Sequence, residues 1–224
     1  MNTKVKEIFS SIQGEGPVVG YKQLFIRFCD CNLKCNYCDT EFDKTNAMEF
    51  SPLELYEKIS SEYDLKTFHS ISLTGGEPLL SAEFLKDFLP LLKGQTKIYL
   101  ETNATLPNNL EKIKDYIDII SADIKLESST GLNTFDKHRE FFAHCKDIDT
   151  FAKIVFDENI TVEEIKTCSE LGNDFNIELI LQPKMIGDKM SVSSAFCNNI
   201  LDKFTALHHN TRLIPQVHKF LDVR

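Results

Sequence analysis

The sequence predicts an α/β fold in which short strands alternate with longer helices. Three observations carry that expectation: six β-branched or aromatic runs, amphipathic stretches between them, and helix-start signals where those stretches begin. The runs are QLFIRF (23–28), SISLTG (70–75), KIYLET (97–102), IISADIK (119–125), FAKIVF (151–156) and IELILQP (177–183). They carry few charges, as expected of a parallel sheet covered on both faces.

The helix signals follow in order. Ser51, Pro52 and Glu54 supply an N-cap, a proline at the first helical position and a capping-box partner. Leu85, Phe88, Leu89 and Leu92 keep helical spacing, as do Leu110, Ile113 and Ile117. Thr161 with Glu164 repeats the capping box before a segment expected to end near Gly172. His208 and His209 read as part of a solvated helix. The tail after about Thr211 reads as one more strand or loop, confined to an edge by Pro215. No linker or boundary divides the chain, so residues 1–224 read as one domain. Six strand–helix units are fewer than the eight that close a TIM barrel. On pattern alone, a doubly wound open sheet and an incomplete, splayed barrel both remain.

Composition narrows the function. Of 224 residues, 42% are hydrophobic and 26% charged, which excludes wholesale disorder. Lys plus Arg total 25 against 34 Asp plus Glu, a net charge of −9. Such a surface argues against nucleic-acid partners, which need clustered positive charge. No stretch is long and apolar enough for a bilayer, and MNTKVKEIFSS has no secretory-signal pattern, so a cytoplasmic protein is expected. There are seven cysteines. Cys29, Cys31, Cys35 and Cys38 crowd one short segment, while Cys145, Cys168 and Cys197 are scattered. Clustered thiols in a reducing compartment point to metal.

The spacing Cys31-x3-Cys35-x2-Cys38 falls just after the first predicted strand, and α/β proteins bind ligands beyond the carboxyl ends of strands. Three thiolates can hold three irons of a [4Fe–4S] cube and leave the fourth iron open to a ligand. A structural zinc site would need a fourth ligand. Cys29 could serve, but it alternates with Cys31 on an extended segment and would face the other way.

CxxxCxxC with Tyr37 before its last cysteine resembles the signature of the radical S-adenosylmethionine (SAM) superfamily. Gly75-Gly76-Glu77-Pro78, Glu101-Thr102-Asn103 and Ser121-Ala122-Asp123-Ile124-Lys125 match that superfamily in order and spacing. The resemblance implies a partial (β/α)6 barrel, TIM-like in type, and so chooses the splayed barrel. Phe9-x-Ser11-x-Gln13-Gly14-Glu15-Gly16, Arg27 and Cys38-Asp39-Thr40 are similar to the 7-carboxy-7-deazaguanine synthase (QueE) family. That family converts 6-carboxy-5,6,7,8-tetrahydropterin to 7-carboxy-7-deazaguanine, with loss of ammonia, in queuosine and deazapurine biosynthesis. It uses a [4Fe–4S] cluster, SAM and Mg2+.

The resemblance implies the following roles. Cys31, Cys35 and Cys38 bind the cluster, and Thr40 binds Mg2+. Tyr37, Cys38, Asp39, Gly75, Gly76, Ser121, Ala122, Asp123 and Gln182 line the SAM site. Ile12, Gln13, Gly14, Glu15, Arg27, Thr74 and His218 contact the pterin, the last within a Gln216-x-His218-Lys219 pattern. In segments, these are a substrate-binding stretch 8–28, a cluster loop 29–42 and a tail 211–224. The implied partners are an electron donor such as flavodoxin or ferredoxin and a second copy of the chain in a homodimer.

Several of these residues also have plain physical readings. Paired glycines at a strand end let backbone approach a ligand. Asp123 and Lys125, two apart on a strand, share a face and could simply pair with each other. Arg27 sits among Leu24, Phe25, Ile26 and Phe28, so it needs a ligand carboxylate or an acidic partner. Glu15 could be a solvated loop carboxylate, and His218 a structural histidine. Two other functions stay open: an activase for a glycyl-radical enzyme, and, in a different class, a metal-binding structural or sensor protein.

Overall fold

The computed structural model describes residues 1–35 and 46–223. In chain order the elements begin with β1 (Thr3–Ile12), β2 (Lys22–Phe28), β3 (Met48–Phe50), α1 (Pro52–Glu62) and β4 (Ser70–Gly75). Next come α2 (Ala82–Phe88), β5 (Lys97–Thr102), α3 (Pro107–Glu111), β6 (Ile119–Ile124), α4 (Glu127–Thr130) and α5 (Phe135–Ala143). The chain finishes with β7 (Asp149–Phe156), α6 (Val162–Phe175), β8 (Glu178–Pro183), β9 (Met185–Ile186), β10 (Lys189–Met190), α7 (Ser194–Leu207), β11 (Thr211–Leu213) and α8 (Val217–Leu221).

One sheet runs β11-β8-β7-β6-β5-β4-β2-β1-β3, with β9 and β10 pairing apart. From β2 to β11 every neighbour is parallel, whereas β1 lies antiparallel to both β2 and β3. Strand order in the parallel part never reverses, so the sheet has no switch point of the doubly wound kind. The alternation of side chains agrees. Leu24, Ile26, Ile71, Leu73, Ile120 and Ile154 share a core with Leu55 and Ile59 of α1, Phe84 and Phe88 of α2, and Ile165 and Leu171 of α6. The residues between them, such as Gln23, Ser70, Ser72, Ser121 and Lys153, are buried on the other face, with Tyr99, Phe151 and Ile180 as a small second core. Helices thus cover one face only, as in a barrel wall. The expectation of a sheet covered on both faces is met by helices on one face only, because the other face lines the polar interior of the barrel.

All six predicted strands form. Both capping boxes form as well, at Ser51–Glu54 and Thr161–Glu164. The sequence did not predict β1, β3 or the β9–β10 hairpin. The helix after Thr161 continues to Phe175 and stops at Asn176, which takes the left-handed cap. Gly172 lies inside it because His208 packs against it: a Cβ there would meet the imidazole at 3.1 Å. His208 is therefore not solvated. It is 4% exposed, bonded to Asn173 Oδ1 and the Ile177 carbonyl. The spacing over 85–92 and 110–117 yields short helices followed by 3-10 turns, the first where Pro90 removes a backbone donor. The tail strand β11 sits at the sheet edge, as expected, and ends at Leu213, two residues before Pro215.

Candidate active site

The carboxyl ends of the parallel strands surround a cavity of about 240 Å³. Most sequence-predicted residues line it. The end of β1 contributes Ile12, the loop after it Gln13, Gly14 and Glu15, β2 contributes Arg27, and the following loop contributes Cys31 and Cys35. Thr74, Gly75 and Gly76 come from the end of β4, Asp123 from β6, Gln182 from β8 and His218 from α8. Ser121 is fully buried deeper on the same face, and Ala122 faces the helix-side core, because alternate side chains of a strand point opposite ways. Tyr37, Cys38, Asp39 and Thr40 lie outside the described residues.

The glycine pair has a role the sequence reading did not foresee. Gly75 has φ +122°, and a Cβ on it would stand 2.3 Å from the Phe28 carbonyl oxygen. A Cβ on Gly76 would stand 2.1 Å from that of Asp30. The close approach is therefore by the loop that carries Cys31. Gly76 N–H donates to Phe28 O at 3.1 Å and Glu77 N–H to Asp30 O at 2.7 Å, holding that loop against β4.

Glu77 extends the brace. Its buried carboxylate accepts from Leu79 N–H (3.0 Å), Thr102 Oγ1 (2.8 Å) and Asn103 N–H (2.7 Å). Burial outweighs these donors and pushes its pKa up to about 7. Asn103 Nδ2 in turn donates to Asn32 Oδ1 at 2.9 Å and to Cys31 Sγ at 3.8 Å. Behind it His138 is neutral, held down to about 4 by burial, with Nδ1 on the Ala104 carbonyl and Nε2 on Lys125 N–H.

The residues expected on the substrate side form two networks. Gln13 Nε2 donates to Gln23 Oε1 and Glu101 Oε1, both at 2.9 Å, while its Oε1 accepts from Glu15 N–H at 3.0 Å. Glu101 also accepts from Thr74 Oγ1 at 2.6 Å. The Gln13 side chain is thus engaged internally, and its backbone N–H and carbonyl are bonded to Tyr21 O and Gly20 N–H. The second network centres on Glu15, which is not a solvated carboxylate. It accepts from Lys153 Nζ, from Gln216 Nε2 at 2.6 Å and from Gln182 Nε2 at 3.3 Å. Burial would raise its pKa, but Lys153, with Gln216 and His218, holds it at about 2. Asp123 does pair with Lys125, at 3.0 Å.

Arg27 has an acidic partner, its cross-strand neighbour Glu7, which accepts from Nε at 2.7 Å. The guanidinium also lies over the Phe9 ring, 5.6 Å from the centroid. His218 stacks on Gly14, where a Cβ would meet the ring at 2.3 Å, and Val217 N–H donates to Gly14 O. Sequence reasoning named Glu101, Lys125 and Gln216 only as parts of motifs and missed Lys153. The available signal for Lys153 was a single charge in an otherwise apolar run.

The donor set fits an iron–sulfur cluster with SAM. Cys31 and Cys35 stand on the cavity wall, and Cys31 Sγ accepts from Leu33 N–H at 3.4 Å as well as from Asn103. Such N–H donors favour a thiolate. Cys29 is 4% exposed and does not line the cavity. Gln182 Oε1 is buried in the wall with no hydrogen-bond partner among the described residues, an acceptor suited to a polar ligand.

Residues 25–170 match the radical SAM superfamily. The 7-carboxy-7-deazaguanine synthase of Archaeoglobus fulgidus is 34% identical over the whole of both chains. That of Geobacter sulfurreducens is 34% identical over 97% of this chain and 96% of its own. The crystal structure of QueE from Escherichia coli shares the fold, with a TM-score of 0.68 over 97% of this chain and 95% of that one, at 21% identity. Streptococcus suis SuiB bound to S-adenosylmethionine gives 0.62 over 86% of this chain and 49% of that one, at 17% identity. The chain belongs to the radical SAM superfamily and, within it, to the 7-carboxy-7-deazaguanine synthase family.

Proposed function

We propose that the chain is a 7-carboxy-7-deazaguanine synthase, converting 6-carboxy-5,6,7,8-tetrahydropterin to 7-carboxy-7-deazaguanine with release of ammonia. The observation that carries this reading is a single cavity holding the Gln13–Glu15 loop, Arg27 and two of the three signature cysteines together. When bound, the [4Fe–4S] cluster and SAM supply the one-electron cleavage and the radical that takes hydrogen from C6 of the pterin.

The chain's own groups then have these tasks. Cys31, Cys35 and Cys38 hold the cluster. The backbone at Gly75 and Gly76, with Tyr37, Asp39, Ser121, Ala122, Asp123 and Gln182, holds SAM, Ser121 acting from beneath Asp123 and Ala122 through its main chain. Glu7 engages Nε of Arg27, which leaves the two terminal nitrogens as one of the two edges that can fork a carboxylate. Arg27 therefore grips the substrate carboxylate. The backbone flanking Gln13, at Ile12 and Gly14, and the ionised Glu15 read the polar edge of the ring, with Thr74 beside them. His218, seated on Gly14, closes the cavity toward solvent. Thr40 provides one oxygen to Mg2+, which takes hard oxygen ligands and retains water.

The same reading makes residues 8–28, 29–42 and 211–224 parts of one working domain. It places the chain in the cytoplasm as a homodimer reduced by a flavodoxin- or ferredoxin-like donor. No described helix is long and apolar enough to cross a membrane. Family membership does not favour the activase or the structural metal protein. The test is anaerobic incubation of the reconstituted protein with SAM, Mg2+, reductant and the carboxylated tetrahydropterin. Formation of 7-carboxy-7-deazaguanine, identified by mass and ultraviolet spectrum, is expected. SAM cleavage with the pterin left intact would overturn the reading.

A further inference from the structure

Lys153 is the one charge in the buried stretch Phe151–Phe156 of β7, and its side chain is only 5% exposed. A buried ammonium costs several kcal/mol unless charges and hydrogen bonds compensate it. Here two carboxylates do so. Nζ pairs with Glu15 Oε2 and lies 3.3 Å from Asp123 Oδ1, its register partner on β6. Both carboxylates line the cavity, and Lys153 does not. It stands behind the wall, between the residue expected on the pterin side and the residue expected on the SAM side.

We propose that Lys153 is a positioning residue: it keeps Glu15 ionised and oriented for the pterin ring and ties the substrate loop to the SAM-binding strand. The inference rests on reading the cavity as the synthase site. The groups facing these three residues support it. Around Glu15 are Lys153, His218, Gln182 and Gln216; around Lys153 are Asp123, Glu15, Glu101 and Tyr99; and Asp123 faces Lys125, Lys153 and Glu15. Without Lys153, Glu15 would lie beside Asp123 and face, among the described residues, no lysine or arginine of its own, with His218 as the remaining basic group near it. Both burial and like charge then push a carboxylate upward, by as much as several pH units.

The test is equilibrium binding of 6-carboxypterin, a fluorescent and unreactive probe, between pH 5 and 7. The wild type should bind it with less than about a threefold change across that range. Lys153→Met should bind at least about tenfold more weakly at pH 5 than at pH 7, as Glu15 takes up a proton. Lys153→Arg should restore the flat profile. In a Glu15→Gln background, Lys153→Met should change affinity by less than about threefold, since the group it serves is gone. That double variant removes one buried charge of each sign, so the comparison stands even if Lys153→Met alone does not fold. A flat, wild-type-like profile for Lys153→Met, or an equal loss in the Glu15→Gln background, would overturn the role of Lys153 and leave the synthase reading standing. Failure of the wild type itself to bind 6-carboxypterin would overturn that reading and the role of Lys153 together.

Discussion

Replacing Gly76 by alanine tests the packing of the cysteine loop against β4. The added Cβ would stand 2.1 Å from Asp30 O, 2.5 Å from its carbonyl carbon and 3.0 Å from Cys31 N. Real Cβ contacts do not fall below 3.0 Å, so the facing backbone must retreat by about 1 Å. Overpacking of this kind costs ~1–3 kcal/mol. The Glu77 N–H bond to Asp30 O is spoiled at the same time, for a further ~0.5–1.5 kcal/mol. Gly76→Ala should therefore destabilise the cluster-free chain by about 1.5–4.5 kcal/mol, read from urea unfolding by circular dichroism. Iron bound after anaerobic reconstitution should drop as well, because the displaced backbone includes Cys31. Gly94→Ala is the control: nothing lies within 4 Å, and only its φ of +77° opposes a side chain, at about 1 kcal/mol. Equal unfolding midpoints for the two variants, with full iron in both, would refute the proposed clash.

Other perturbations follow from the same contacts. Glu77, raised to about 7, favours the fold below its unfolded pKa of 4.5 and loses that contribution as pH rises to 7. His138, lowered to about 4, contributes above 6.5 and loses that contribution as pH falls to 4. The two trends oppose each other between pH 4.5 and 6.5, so Glu77→Gln should make stability fall more steeply on acidification, by up to about 3 kcal/mol, in denaturation curves taken at several pH values. Cys31→Ala, Cys35→Ala and Cys38→Ala should each lose the cluster in iron and sulfide analysis, whereas Cys29→Ala should keep it. Arg27→Lys should raise KM for the pterin by about 10-fold or more, since an ammonium lacks the fork, while SAM cleavage without pterin persists.

The strands were legible because each parallel strand is a short β-branched run closed by a turn signal. The capping boxes were legible because they are local, three residues apart. β1 was not: Lys4, Lys6 and Glu7 interrupt its apolar pattern, and a register irregularity between Val5 and Glu7 breaks its alternation. Without β1, the pairing of Arg27 with Glu7 could not be seen, since it depends on cross-strand register. Motif spacing named many of the residues that line the cavity. It could not place Ala122 on the opposite face from its neighbours' ligand side, nor reveal that Gly75 and Gly76 make room for backbone. Lys153 and Glu15 are 138 residues apart, and their contact exists only once the loop after β1 reaches across the cavity to β7.

The measurement closest to the central claim uses the carboxylated tetrahydropterin deuterated at C6, with reconstituted protein, SAM and reductant under anaerobic conditions. Mass spectrometry should find deuterium transferred to SAM or to 5′-deoxyadenosine as 7-carboxy-7-deazaguanine accumulates. If 5′-deoxyadenosine forms without deuterium and the labelled pterin is recovered unchanged, the cavity does not act on this substrate, and the synthase function is contradicted.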